Sequence, residues 1–266
     1  MTMTKLHFLQ LLLVMLGLCF VCNARNAPKT KNSVIALLEE FYDSTGGPNW
    51  NYTSMRTLTE IEEGAYLSGI NWNFTKDSNN AYIVDPCEPK FQALNCTCDE
   101  TICNITILSP LGGNLKGTIP KSLGNLTTLT HLNLRRNSLG GPIPEELTQL
   151  KFLQHMHLSD NQFTSTVPKG LEKMSSLVHL DLGANRLTGT IPKEIAKIVS
   201  LEMLHIGDNF LTSSIPSELG ELKNLSLLDF GGSDLTGTIP RSLGLLTKLT
   251  WLGEYEYEHK FKYLYS

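Results

Sequence analysis

Positive charge is scarce in this chain. Its 22 Lys and Arg are outnumbered by 26 Asp and Glu, the formal net charge is -4, and only 18% of the 266 residues are charged. A protein that grips nucleic acid by its phosphates needs a basic stripe to neutralise them; the sequence has none, which excludes that class of partner. Long apolar runs are also scarce. The run over residues 8–22 has 15 residues and contains Gln10, short of the roughly 20 needed to cross a bilayer. Preceded by Lys5 and followed by Asn23 and Ala24, it reads as a signal peptide cut near Ala24 rather than an uncleaved anchor. No later stretch is long and apolar enough to span, so a secreted, extracellular chain is expected. Plasma membrane is the alternative if the chain is truncated. Catalytic signatures are missing too: no phosphate loop, Gly-x-Ser-x-Gly, His-Glu-x-x-His or kinase set occurs. The acidic pairs Glu39-Glu40 and Glu62-Glu63 read as solvated. An enzyme is not expected, nor a cofactor.

Cysteine is sparse but clustered. Cys19 and Cys22 leave with the signal, and Cys87, Cys96, Cys98 and Cys103 remain within 17 residues. An even number in an exported chain predicts disulfides, with three pairings possible. Cys87 to Cys96 with Cys98 to Cys103 is the preferred one. The intervals of nine, two and five lack the two well-separated ligand pairs of a zinc site. Six sequons, at Asn51, Asn73, Asn95, Asn104, Asn125 and Asn224, also suit a secreted glycoprotein. Incomplete occupancy is expected at Asn95 and Asn104, which the cysteines crowd.

Leucine, by contrast, is abundant: 45 residues, about one in six. The prolines show why. Pro120, Pro144, Pro168, Pro192, Pro216 and Pro240 recur every 24 residues, which marks a repeat architecture. Aligned on them, units begin at Ile105, Leu129, Leu153, Leu177, Leu201 and Leu225, with a partial seventh at Leu249. Residues 177–200 are the clearest copy. Leu180 and Leu182 lie two apart, the period of a strand with one buried face, so His179 and Asp181 point to the other face. Asn137, Asn161, Asn185 and Asn209 recur just after the strand and predict a ladder of amides bonding to main-chain groups of adjacent turns. A Thr-Gly-Thr-Ile-Pro turn follows, in which Gly permits positive φ and Pro fixes its own.

These units resemble the leucine-rich repeat family, in its 24-residue extracellular form found in plant receptors and secreted plant inhibitors. Six in-register copies share the Leu, Asn, Gly and Ile-Pro positions over residues 105–252. Upstream, residues 33–42 read as a capped helix carrying Val34, Leu37, Leu38 and Phe41. It leads into Ser44-Thr45-Gly46-Gly47-Pro48-Asn49-Trp50, similar to the family's N-terminal cap and to protist versions with Ser-Thr-x-Gly-x-x-Trp. The resemblance implies an α/β fold, a right-handed solenoid with a parallel concave sheet and a disulfide-stapled cap. Its parts would be residues 1–24 as signal, 25–104 as cap with an insertion at 51–84, 105–252 as repeats and 253–266 as tail. It further implies a non-enzymatic recognition module, secreted or part of a receptor ectodomain, with a protein, peptide or glycan ligand and a receptor kinase as a possible partner.

The departures are informative. Pro110 and Gly113 make the first repeat a transitional unit, Ser165 and Ser213 replace the turn Gly, and Ser233 replaces the ladder Asn. The Ser replacements put a uniform turn in question. The ligand surface is expected at the variable strand positions: His131, Asn133, Arg135, His155, His157, His179, Asp181, Met203, His205, Leu227, Asp229 and Trp251. One row runs from imidazole to apolar through His131, His155, His179, Met203, Leu227 and Trp251. Its histidines read as polar filler between strand leucines, or as a pH-sensitive peptide or glycan site. A metal site on His157, Asp181 and His205, whose ligand types suit zinc or copper, is set aside because straight ladders rarely converge on one point. A structural ice- or wall-binding array would need regular Thr on one face, but the turn Thr is patchy (Thr118, Thr166, Thr190, Thr238).

Overall fold

A computed structural model describes residues 32–47, 94–98 and 103–253. The signal segment, the insertion, Cys87 and the tail lie outside the described residues. For residues 32–35, 94–98 and 103, which include Cys96, Cys98 and Cys103, only the backbone is described.

From the second repeat on, each unit contributes one three-residue strand to the main sheet, because only its third to fifth positions alternate outward, inward, outward between buried leucines. The strands His131–Asn133, His155–His157, His179–Asp181, Met203–His205, Leu227–Asp229 and Trp251–Gly253 stack in chain order as a parallel sheet. Pairing is in register by the repeat, His155 opposite His179 and His179 opposite Met203. Cys103–Leu108 joins at the N-terminal edge, parallel to the second repeat and antiparallel to Leu94–Cys98, giving eight strands. The first repeat is thus a transition in hydrogen bonding as well as in sequence. The inward residues Leu132, Met156, Leu180, Leu204 and Leu228 are fully buried.

The chain leaves the sheet through the Asn ladder. The Asn185 amide donates to the carbonyls of Leu158, Leu182 and Gly183, while its Oδ1 accepts from Phe163 N–H at 3.0 Å. Asn137, Asn161 and Asn209 repeat the pattern. Each amide ties its own coil to the preceding one by satisfying backbone groups that the bend removes from any sheet. Short strands on the far side, such as Gln162–Thr164 and Phe210–Ser213, follow. Each repeat then closes with a 3-10 turn entered from Pro, for example Lys193–Lys197 after Pro192 at φ -66. Ile195 and Ile198 close the core on this side.

The turn is uniform despite its serines. Ser165 and Ser213 sit at φ 71 and 79, alongside Gly141 at 71, Gly189 at 79 and Gly237 at 84. The question raised by those substitutions is answered by strain: the stacked neighbours impose the left-handed conformation and the serines adopt it.

The helix Asn32–Ser44 covers the N-terminal end, with Leu38 and Phe41 fully buried in the common core beside Ile105 and Leu115. Leu37 is only partly buried. Lys116 N–H donates to Thr45 O at 2.8 Å. Gly117, at φ 107, lets Ser44 O approach where a side chain would collide.

Candidate functional site

The outward face of the sheet carries the predicted residues in three sectors. At the N-terminal end the imidazoles gather. His131 stacks on His155 with centroids 4.3 Å apart, and His179 meets His155 edge-on at 4.5 Å. The Nδ1 atoms of His155 and His179 are 3.1 Å apart, so one carries the hydrogen and the other accepts it. His157 lies beside both, 6.1 Å from His155 and 5.9 Å from His179 between centroids. Thr130 donates its hydroxyl hydrogen to Thr106 O, so the 2.8 Å contact with His131 is an Nδ1–H donated to Thr130 Oγ1. Burial, and then repulsion from neighbouring imidazoles, holds His131 and His179 below the ordinary range, with Glu202 partly opposing this at His179. The same causes lower His155 to about 4.

The middle sector is an acid–imidazole chain. His205 Nδ1 donates to Asp181 Oδ1 at 2.8 Å, and its Nε2 lies 3.7 Å from Asp229 Oδ2. On the other side His157 Nδ1 is 3.8 Å from Asp181 Oδ2, which also accepts from Ser159. Burial alone would raise the Asp181 carboxyl; the neighbouring His157 imidazole and the hydrogen bonds from His205 and Ser159 outweigh it and leave the group well below the usual carboxylate range. For His205 burial again opposes charge, but Asp181, then Asp229 and Asp208, raise it above the ordinary imidazole range. The ring rests on Gly183, in space a Cβ would fill. The third sector is apolar: Met203 and Leu227 are half-buried and Trp251 is 56% exposed.

The structure therefore brings eleven of the twelve residues onto one strand face and sets Arg135 at its edge, paired with Asp160 at 2.9 Å. They are not equally accessible. Asn133, Asp181 and Asp229 are buried, and each turns its oxygen to the backbone N–H two residues on: Arg135, Gly183 and Gly231. Alternation alone assigned them to the outer face; it could not show that a short side chain at a strand end folds back as an Asx turn. In the metal grouping weighed from the sequence, His157 with Asp181 and His205, the Asp181 carboxylate is taken by the His205 hydrogen bond, and His157 Nδ1 stands 3.8 Å away. Among the described residues the three-ligand cluster is His155, His157 and His179. The sequence showed these residues but not their grouping, since ring orientation decides which atoms meet. Of the three sequons with a described side chain, Asn104 is half-buried and Asn125 is exposed, whereas Asn224 donates its amide to Val199 O and accepts from Lys248 Nζ.

Two family profiles match the chain, Leucine rich repeat over residues 153–211 and Leucine Rich Repeat over residues 128–150. A curated relative, a "Probable LRR receptor-like serine/threonine-protein kinase" of Arabidopsis thaliana, is 37% identical over 71 residues, 25% of this chain and 6% of that kinase. The chain thus matches only a small part of the length of this relative. Among solved structures it is similar to the LRR ectodomain of the plant membrane receptor kinase GASSHO1/SCHENGEN3 from Arabidopsis thaliana, determined in complex with Casparian strip integrity factor 2. The TM-score is 0.64 and the identity 26%, over 83% of this chain and 23% of that one. It is also similar to a plant ice-binding protein, at TM-score 0.63 and 25% identity over 81% of this chain and 60% of the other. With its in-register 24-residue units, its Asn ladder and these likenesses, the chain is a leucine-rich-repeat protein of the plant type.

Proposed function

We propose that the chain is an extracellular, non-enzymatic recognition module that takes an extended peptide along the concave sheet, in signalling or defence. The observation that carries this reading is the row His131, His155, His179, Met203, Leu227 and Trp251. These side chains stand partly exposed, one per strand, beside inward residues that are fully buried in every strand but the last, and the row grades from imidazole to apolar. A peptide lying across the strands would meet a new side chain about every 4.8 Å. Aromatic and apolar anchors at the C-terminal end would supply most of its affinity. The similar ectodomain solved with a named factor bound supports a ligand role. A protein or cell-wall glycan ligand, and a receptor kinase partner, belong to the same reading. Panning a randomised peptide library on the purified chain tests it. Enrichment of sequences sharing a spaced apolar anchor is expected; absence of enrichment over the blank support would count against it.

A second reading is that the chain is part of a membrane receptor's ectodomain, favoured by the receptor kinase relative it partly matches. Coding sequence beyond Ser266 for an apolar span of roughly 20 residues would establish it. No helix among the described residues is long and apolar enough to cross a membrane. The likeness to an ice-binding protein raises a structural role. Thr118, Thr166, Thr190 and Thr238 are exposed, but Pro142 and Ser214 break their column.

A further inference from the structure

We propose that His155, His157 and His179 form a three-imidazole site for a divalent transition ion of the Zn2+ class. Each offers a ring nitrogen, and the three nitrogens lie within 4.8 Å of one another. Register is what gathers them: His155 and His157 are two apart on one strand, so both face outward, and parallel pairing puts His179 directly opposite His155. Imidazole suits zinc and copper, and three protein ligands leave a fourth position open.

The distances suit such an ion. Two nitrogens bound tetrahedrally at about 2.0–2.1 Å stand roughly 3.4 Å apart. The Nδ1 atoms of His155 and His179 are already 3.1 Å apart, sharing one hydrogen that an ion would replace. His157 Nδ1 lies 3.8 Å from Asp181 Oδ2, and one of its ring nitrogens is within 4.8 Å of the other two ligand atoms. Closing the triangle takes ring movements of roughly 1 Å, available to half-exposed side chains. His131 stays outside the set, its Nδ1 held by Thr130. The lowered proton affinities of His155 and His179 agree with lone pairs being available at neutral pH. The open position faces the surface on which a ligand would lie, where a carboxylate or imidazole of that ligand could complete the coordination.

The test is calorimetric titration of the untagged, EDTA-stripped chain with ZnCl2 at neutral pH, paired with diethylpyrocarbonate footprinting. One saturable equivalent is expected, and Zn2+ should shield His155, His157 and His179 from acylation while His131 stays as reactive as before. H155Q and H179Q should each weaken binding by about 10-fold or more, and K151E, in an exposed turn away from the cluster, should leave it unchanged. No saturable binding overturns the proposal. So does binding that survives both H155Q and H179Q, or shielding confined to other residues. The footprint uses the unaltered chain, so the result does not depend on any variant folding.

Discussion

His205 Nδ1 donates to Asp181 Oδ1 at 2.8 Å across two adjacent strands, at a carboxylate that is almost fully buried. This bond divides the sheet face into a neutral imidazole cluster on one side and an apolar end on the other. It also gives stability a definite pH dependence. His205 is raised, so its contribution is fully present below about 6.5 and is lost as pH rises through its folded value. Asp181 is depressed, so its contribution is present above about 4 and is lost as pH falls through its folded value. His131, His155 and His179 act the other way from His205. Their folded values are lowered, so stability is lost as pH falls below about 6.5 through those values, for His155 down to about 4. Three lowered imidazoles against one raised one predict a urea midpoint that falls between pH 6.5 and 4 in EDTA-containing buffer. A flat or rising midpoint would contradict it. D181N should cost about 1–3 kcal/mol and return His205 towards its ordinary titration, read by NMR.

Ser233 occupies the ladder position of the sixth repeat, and its hydroxyl is buried without a partner. In the preceding coil Asn209 Oδ1 accepts from Leu187 N–H at 2.9 Å, and by the 22-residue offset Leu211 N–H is the donor facing position 233. Ser233→Asn should restore the missing rung and add about 1 kcal/mol. The midpoint of chemical denaturation measures this, and an unchanged or lower value would show that the last coil does not share the geometry of the others.

The strained turns give a reciprocal pair. S165G and S213G relieve side chains held at φ 71 and 79 and should each stabilise by about 0.5–1 kcal/mol. G189S should lose at least as much, because its Cβ would lie 2.9 Å from Thr166 Cγ2. Thermal melts of the three variants should move in these opposite directions.

Cys98 and Cys103 are register partners at the end of the antiparallel pair Leu94–Cys98 and Cys103–Leu108. Directly opposed residues of such a pair have Cα separations of about 4.5–5.5 Å, inside the range a disulfide spans. Non-reducing peptide mapping should recover a Cys98–Cys103 link, leaving Cys87 for Cys96. A Cys87–Cys98 or Cys87–Cys103 peptide would refute that pairing.

Much of the fold was legible in the sequence because a repeat states each rule six times. The two-residue Leu spacing of Leu180 and Leu182, the Asn column and the Ile-Pro turns each had one geometric meaning, and stacking enforced it even on Ser165. The candidate site was legible by position only. That His155 and His179 would share a hydrogen, or that Asp181 would fold back on Gly183, depends on side-chain rotation at half-buried sites, which periodicity does not encode. The helix expected over residues 33–42 runs Asn32–Ser44 and buries Leu38 and Phe41 of its apolar face, while the side chain of Val34 lies outside the described residues; its seat against Lys116 came from the pairing of Thr45 with the first turn.

The central claim is that ligands lie on the graded row of the sheet. Its most direct test is the affinity of panned peptides for the unaltered chain, for the double variant M203E/L227E, and for K151E in an exposed turn away from the row. Losing two apolar anchors should weaken binding by roughly 10-fold or more, with K151E unchanged. Equal affinity for the double variant, or loss confined to K151E, would contradict the account.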